Sequence, residues 1–247
     1  MSVTSQPSPE PAPTIGVVTV TYSSGDYLHN FLATLADATD RPVRVIIADN
    51  GSDDGAPERA EAEHENVTLV HTGGNIGYGG AMNRGIAELD PDIEFLVIAN
   101  PDIEWTPGCL DELLAAAERW PRAGALGPLI LEPDGSVYPS ARNVPDLVSG
   151  TGHALLGTVW PGNPWTRAYR DEQTQQGERA VGWLSGSCLL VRRTAFEAVD
   201  GFDSRYFMFM EDVDLGDRLG RAGWLNVVVP TARATHAKSH SVSKHPE

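Results

Sequence analysis

Short apolar runs alternate with helical segments over the first half of the chain, and this order constrains the fold more than any other feature. Residues 15–22, 43–48 and 95–99 are largely apolar or β-branched and lack the regular polar positions of a surface helix. They are therefore predicted to be buried strands. Residues 28–35 and 106–117 instead place apolar residues at helical intervals. This alternation predicts an α/β protein whose sheet is largely parallel, with right-handed crossovers.

One folded domain is predicted between two short terminal segments. Residues 1–13 contain four prolines among Ser and Thr and lack the basic and apolar regions of a signal peptide, so a disordered leader is expected. The domain is predicted over residues 14–240, with halves at 14–102 and 103–240, followed by a tail at 241–247.

The second half has a long loop between two predicted strands, 124–131 and 181–191. Residues 132–180 are rich in Pro, Gly, Arg and aromatic residues, and loops of this length in compact domains are usually functional or mobile. Trp183 belongs to an aromatic cluster near this loop that would suit either a sugar ring or the core. Arg142 would either clamp a phosphate or lie exposed.

Charge and cysteine usage narrow the class of protein. The formal net charge of −16 argues against nucleic acid as a partner, because phosphate backbones attract Lys and Arg. Residues 218–247 hold five Lys or Arg residues against one acid, which suits a phosphate, a membrane surface or a solvated tail. Cys109 and Cys188 have no metal-type spacing, so reduced thiols in a cytosolic protein are predicted. No apolar stretch approaches the roughly 18 residues of a membrane span.

Polar residues follow two of the predicted strands. Asn100, Pro101 and Asp102 come directly after the run at 95–99, and ligands of open α/β sheets bind at the carboxyl ends of strands. Asp102 is therefore placed to hold a divalent metal or a ligand hydroxyl, although a strand-ending turn has the same composition. Asp49 ends the second strand and would either accept hydrogen bonds from a base or ribose or form an Asx turn.

A glycine-rich loop precedes a predicted helix. Residues 73–80 contain five glycines, and backbone amides in such a loop can approach a diphosphate at the positive end of the helix dipole. The loop lacks the Gly-Lys-Ser/Thr of a P-loop, and Met82 stands where a dinucleotide fingerprint needs glycine. A generic phosphate loop and a simple glycine-rich turn both remain open.

Two adjacent carboxylates begin a predicted helix. Glu211 and Asp212 follow residues 206–210, an aromatic and Met-rich segment that suggests a half-buried pair beside a pocket. A carboxylate there could act as general base for an acceptor hydroxyl. Acidic residues in a first turn also stabilise a helix through its dipole, without any catalytic role.

Taken together, these segments resemble glycosyltransferase family 2 enzymes, and most of all the bacterial rhamnosyltransferases, including actinobacterial enzymes of cell-wall linker synthesis. The resemblance extends over residues 15–240, and its consistency across six motifs in the same order makes it specific. The motifs are residues 17–22, 48–55, 75–83, 100–102, 186–190 and 211–214. The implied fold is of the GT-A type, a nucleotide-binding α/β fold with a mostly parallel central sheet flanked by helices and a small antiparallel addition on the acceptor side.

The resemblance also implies roles for individual residues. Asp102 is expected to hold Mg²⁺ or Mn²⁺ on the donor diphosphate with help from His236, and Asp212 is expected to be the general base. Because the family often has Asp where this chain has Asn100, metal binding should tighten only when the donor arrives. The implied donor-side residues are Thr21, Tyr22, Asp49, Asn75, Gly77, Asn83 and Asn100. The implied acceptor-side residues are Arg142, Trp183, Gly186 and Glu211.

The activity implied by the resemblance is inverting sugar transfer. The expected donor is dTDP-rhamnose, and the expected acceptor is a glycan or a polyprenyl-diphosphate-linked GlcNAc at the inner face of the plasma membrane. Peripheral membrane contact and a homodimer are both compatible with this activity. The alternatives are a transferase that uses a UDP- or GDP-sugar and a non-catalytic nucleotide-sugar-binding protein. A nucleotidyltransferase is disfavoured because residues 22–26 contain no basic residue, and an epimerase is disfavoured by Met82.

Overall fold

The computed structural model describes residues 15–142 and 177–237. The predicted leader, the predicted tail and most of the long loop lie outside the described residues, as does the side chain of Arg142. Among the helices of the described ranges, none combines the length and the apolar character that crossing a membrane requires.

The described residues form a nine-stranded sheet and a separate two-stranded ribbon. The strand order is β3-β2-β1-β4-β10-β6-β11-β5, with β8 beside β11, while β7 pairs with β9. The strands are β1 Ile15–Thr21, β2 Val43–Asp49, β3 Val67–His71, β4 Phe95–Ala99, β5 Ile103–Trp105, β6 Ala123–Leu131, β7 Ala141–Arg142, β8 Arg179–Val181, β9 Trp183–Leu184, β10 Cys188–Arg192 and β11 Leu225–His236.

The strands of the first half are parallel, as predicted, and antiparallel strands follow them. β1 is parallel to β2 and β4, and β2 is parallel to β3. β10 runs antiparallel between β4 and β6, whereas β11 is parallel to β6. The predicted α/β class, with a parallel first half and an antiparallel addition, is confirmed.

Helices cover both faces of this sheet, which explains the uninterrupted apolar runs. Val17 contacts the apolar cluster on one face, while Val18 contacts the cluster on the other. Because each strand is buried on both sides, its residues need not alternate between apolar and polar. The helices are α1 Asp26–Ala38, α2 Ala56–Glu63, α3 Tyr78–Ile86, α4 Cys109–Arg119, α5 Arg193–Ala198 and α6 Glu211–Arg221. Helices α1, α2 and α4 pack on one face, and α3, α5 and α6 pack on the other.

The last strand is much longer than the apolar run at 227–229 predicts. β11 continues to His236, after a register shift between Val229 and Arg233. Pro230 lies within this shift, and a proline that cannot donate to the ladder is tolerated at such an irregularity. Beyond it β11 pairs with the short strand β5, so that His236 lies opposite Ile103.

Candidate active site

The candidate site lies at the carboxyl edge of the parallel strands. Thr21 and Asp49 end β1 and β2, and Asn100 follows β4. Since β10 runs in the opposite direction, the residues before it reach the same edge, and the Asn100 N–H donates to the Ser187 carbonyl at 2.9 Å. Strand direction alone therefore brings segments from both halves of the chain together.

Asp49 is buried and organises the turn after β2. Its carboxylate accepts hydrogen bonds from the Thr21 hydroxyl at 2.8 Å, from the Ser52 N–H at 3.1 Å and from the Gly51 N–H at 3.2 Å. Burial by itself raises the pKa of Asp49, but the hydrogen bonds from Ser52, Thr21 and Gly51 outweigh it, so the pKa lies below the ordinary 3.8. The ionised carboxylate forms the Asx turn, and its contact with a base or ribose remains a prediction. Tyr22, also predicted at the base pocket, is exposed directly after Thr21.

The glycine-rich loop is attached to this turn through Asn50. The Asn50 amide donates to the Gly77 carbonyl at 3.2 Å and to the Asn75 side-chain oxygen at 3.3 Å. Gly77 has a φ of +81°, and a Cβ there would lie 2.2 Å from the Phe207 carbonyl oxygen. Only glycine fits this close approach. Asn50 could not be singled out from the sequence, because an asparagine directly after Asp49 is typical of any turn.

The Asn83 side chain makes two hydrogen bonds to the backbone of Phe202. Its amide nitrogen donates to the Phe202 carbonyl at 2.7 Å, and its oxygen accepts from the Phe202 N–H at 3.0 Å. The side chain thus ties α3 to the segment that precedes α6. A contact between Asn83 and the nucleotide remains a prediction.

Asp102 and His236 meet across the β5–β11 pairing. The Asp102 Oδ1 and the His236 Nε2 are 3.2 Å apart, and their side chains are 12% and 8% exposed. Both atoms are buried, and neither makes a hydrogen bond within the part of the chain that the structure describes. The Tyr138 ring packs edge-on against the imidazole, with 5.2 Å between centroids.

The Asp102–His236 pair is suited to binding a divalent metal. Buried polar atoms normally have partners, and carboxylate oxygen and imidazole nitrogen are both common metal ligands. No group of three or more His, Cys, Asp or Glu residues with metal-binding geometry occurs within residues 15–142 and 177–237. Of the described residues, these two would supply ligands, and the donor diphosphate and water would supply others.

Asp212 lies in the first turn of α6 and faces the loop before β10. Its Oδ2 accepts a hydrogen bond from the Gly186 N–H at 3.0 Å, and its Oδ1 accepts one from the Val213 N–H at 2.8 Å. The Gly186 carbonyl in turn accepts a hydrogen bond from the Tyr78 hydroxyl at 2.6 Å. Gly186 is thereby fixed between Tyr78 and Asp212.

Tyr78 donates to Gly186, the residue that also hydrogen-bonds Asp212, and several carboxylates act on its hydroxyl. Burial raises its pKa well above the ordinary 10.0, and the nearby charges of Glu211, Asp212 and Asp102 contribute to that rise. The hydroxyl therefore remains protonated and continues to donate to Gly186. Sequence reasoning missed Tyr78, because its position inside a glycine-rich loop gave no sign of the distant residues that it contacts.

Glu211 differs from its neighbour, because it is buried and its Oε2 has no hydrogen-bond partner among residues 15–142 and 177–237. Burial raises its pKa above the ordinary 4.5, and the charge of Asp212 raises it further. A carboxyl group whose pKa is raised in this way is a hydrogen-bond donor over a wider pH range.

Glu211→Gln is expected to raise the melting temperature more at pH 7.5 than at pH 4. Because the folded pKa lies above the unfolded one, the folded state holds the extra proton between the ordinary 4.5 and the raised value. The contribution of Glu211 to the free energy of unfolding is thus fully present below pH 4.5 and is lost as the pH rises through this window. Glutamine is neutral at every pH, so the variant does not lose this stability as the pH rises. Thermal unfolding at both pH values, with the exposed Glu63→Gln on α2 as control, checks this, and equal gains at both would contradict it.

The predicted acceptor-side residues come from separate segments that the ribbon brings together. Arg142 in β7 is directly opposite Trp183 in β9. Trp183 packs beneath α6, where a Cβ on Gly216 would lie 2.6 Å from the Trp183 Cβ. The ribbon therefore supports the helix that carries Glu211 and Asp212.

The chain is similar to several known proteins. Residues 16–200 match the family model described as Glycosyl transferase family 2. The chain is 60% identical over 239 residues to the N-acetylglucosaminyl-diphospho-decaprenol L-rhamnosyltransferase of Mycobacterium tuberculosis. The aligned region covers 93% of this chain and 78% of that protein. It is 28% identical over 230 residues to the rhamnosyltransferase WbbL of Escherichia coli, covering 91% of this chain and 83% of that protein.

Solved structures share the fold at low sequence identity. The Pyrobaculum calidifontis mannosyltransferase in complex with GDP-Man and Mn²⁺ matches with a TM-score of 0.62 and 18% identity, over 96% of this chain and 60% of that one. GalNAc-T7 with UDP, GalNAc and Mn²⁺ matches with a TM-score of 0.69 and 15% identity, over 95% of this chain and 45% of that one. The chain thus spans less than two thirds of either solved chain. The predicted GT-A fold is confirmed.

Proposed function

The chain belongs to glycosyltransferase family 2, and on that basis we propose that it transfers rhamnose from dTDP-rhamnose to a hydroxyl of a polyprenyl-diphosphate-linked GlcNAc in cell-wall synthesis. The observation that carries this proposal is the 60% identity, over 93% of the chain, to a rhamnosyltransferase named for such an acceptor. The sugar and the acceptor rest on this similarity, whereas the dTDP base rests on the resemblance of the sequence motifs to the family.

Asp102 Oδ1 and His236 Nε2 are the atoms that would hold the metal, since they are buried, adjacent and without hydrogen-bond partners. Mg²⁺ binds almost wholly through oxygen, so the imidazole nitrogen favours Mn²⁺, the ion present in both solved structures above. When bound, the metal would neutralise charge on the leaving nucleoside diphosphate. The amides of the loop at 73–77 would add to that stabilisation.

Asp212 would remove the proton from the acceptor hydroxyl. That oxygen then attacks the anomeric carbon in line as the bond to the nucleoside diphosphate breaks, so the configuration is inverted in one displacement. Gly186 orients the carboxylate through its N–H, and Tyr78 fixes Gly186 through its carbonyl. Tyr78 is thus a positioning residue, because it acts on the base through the Gly186 peptide.

Tyr78→Phe is expected to lower kcat about fivefold while the KM for the donor stays within about twofold, since one neutral hydrogen bond contributes about 1 kcal/mol. The phenyl ring keeps the edge-on contact with Phe202, whose centroid is 6.1 Å away. Steady-state kinetics of the variant and of Tyr27→Phe, on the opposite face of the sheet, check this. An unchanged kcat, or equal losses in both variants, would contradict the positioning role.

The proposed activity is tested by mass spectrometry of a lipid-linked product. The purified chain is incubated with Mn²⁺, GlcNAc-diphosphoryl polyprenol in detergent and either dTDP-rhamnose, a UDP-sugar or a GDP-sugar. A product heavier by one deoxyhexose, formed only from dTDP-rhamnose and lost in EDTA, is expected. Transfer from another donor would overturn the donor assignment, and no release of nucleoside diphosphate from any donor would indicate a binding protein.

A further inference from the structure

An apolar surface borders the candidate site. Ile76 and residues 207–210, which we call the apolar rim, are all large apolar side chains with exposures from 46% at Ile76 to 68% at Phe209. The two segments are adjacent, because the Tyr78 N–H donates to the Phe207 carbonyl at 3.0 Å. The apolar character of residues 206–210 suggested a half-buried carboxylate pair beside a pocket, and in the structure most of these side chains face solvent.

The backbone of the rim has an unusual conformation. Phe209 and Met210 have φ values of +67° and +72°, and large side chains rarely adopt this left-handed region. Strained backbone of this kind persists only where the surroundings enforce it, often at ligand-binding sites. Here the Phe207–Tyr78 bond anchors one side, and the Asp214 N–H donates to the Met210 carbonyl at 2.9 Å on the other. These two hydrogen bonds hold the strained backbone, and in this conformation the apolar side chains face solvent.

The rim lies directly beside the proposed general base. Met210 is the N-cap of α6, and Asp212 is in the first turn of that helix. An acceptor whose hydroxyl reaches Asp212 must place the rest of its structure near the same helix end. For the acceptor of the proposed function, that remainder is a diphosphate followed by a polyprenyl chain.

We propose that the apolar rim binds the polyprenyl chain of the lipid-linked acceptor, at the isoprene units next to the diphosphate. This inference rests on the proposed function and names the part of the substrate that the rim recognises. Flexible Met and flat Phe side chains suit a long, featureless hydrocarbon. Contact with an anionic bilayer surface is less favoured, because the chain carries a net charge of −16.

The test compares two acceptors that share the GlcNAc-diphosphate head, one with a long polyprenyl chain and one with a short alkyl chain. The double variant Met208→Gln and Phe209→Asn removes apolar surface, and Asn tolerates the positive φ at position 209. Its KM for the long-chain acceptor is expected to rise about tenfold, equivalent to about 1.4 kcal/mol. Its KM for the short-chain acceptor should change less than about twofold, within the effect of a surface substitution. Val137→Gln, at another exposed apolar residue, is the matched control.

Three outcomes would overturn the proposal. An equal change of KM for both acceptors would place the role of the rim at the sugar head or in the fold, and an unchanged KM for both would remove the rim from acceptor binding. Weaker sedimentation with acceptor-free phosphatidylglycerol vesicles, without a change in the KM ratio, would make the rim a bilayer contact instead.

Failure of the proposed function gives a different result. If the unaltered chain glycosylates neither acceptor, the activity is overturned, and calorimetry with geranylgeranyl diphosphate still measures binding at the rim. Weaker binding of this probe to the double variant than to Val137→Gln would support the proposal, and equal binding would refute it.

Discussion

Asp212→Asn is expected to lower kcat about 10³-fold, within the range that a general base contributes, while the affinity for dTDP-rhamnose stays unchanged. Asparagine has the same shape, and its side-chain oxygen can still accept the hydrogen bond that the Gly186 N–H donates to Asp212 at 3.0 Å. The substitution therefore removes the basic oxygen and leaves the loop before β10 in place. Single-turnover kinetics, together with calorimetry of donor binding, separate the chemical step from binding.

Asp217→Asn provides the matched control for this experiment. Asp217 is on the same helix, α6, and its carboxylate pairs with the Arg221 guanidinium at 2.9 Å on the partly exposed side. Such a pair contributes little to stability, so the control should retain activity within about twofold. If Asp212→Asn also retained activity at that level, the assignment of Asp212 as general base would be wrong.

Asp102→Asn is expected to remove the Mn²⁺-dependent part of donor binding and to lower kcat/KM by about 10²- to 10³-fold, since a metal supplies several kcal/mol of charge stabilisation. The Asp102 carboxylate is paired with the His236 Nε2, at 3.2 Å. An amide is a weaker ligand and adds no negative charge. His236→Ala should have the same effect, because it removes the other ligand atom from the pair.

The affinity for dTDP is the direct measurement, by calorimetry with Mn²⁺ and with EDTA. The unaltered chain should bind dTDP more tightly with Mn²⁺ than with EDTA. Each variant should bind dTDP with the same affinity in both conditions, and this affinity should equal that of the unaltered chain in EDTA. Asp92→Asn, at an exposed aspartate before β4, controls for loss of one negative charge. A variant that kept the full Mn²⁺-dependent increase would exclude its residue as a ligand.

Much of the fold could be predicted from the sequence because the relevant signals are local. The runs that became β1, β2 and β4 are apolar on consecutive residues, which few structures other than a doubly covered strand can bury. Polar residues that follow such runs must lie at the edge of the sheet, so Asp49 and Asn100 could be placed there in advance. The order of six motifs further indicated the family, and the comparisons confirm it.

The end of β11 could not be predicted in the same way. Residues 230–236 are mixed in polarity and begin with proline, so no local pattern favours a strand. The segment is extended because β5 and β6 offer it hydrogen-bonding partners beyond the register shift. Without that pairing, His236 could be named as a ligand only through resemblance.

The sequence by itself therefore determined the α/β class, the family and the edge of the sheet where the chemistry would occur. Only the tertiary structure decided which distant residues meet at that edge. It joined Asp102 to His236, linked Tyr78 through Gly186 to Asp212, and displayed Phe209 and Met210 to solvent. The physical reason is that burial and periodicity act over a few residues of chain. Strand register and close approach of loops depend instead on the summed contacts of the whole sheet.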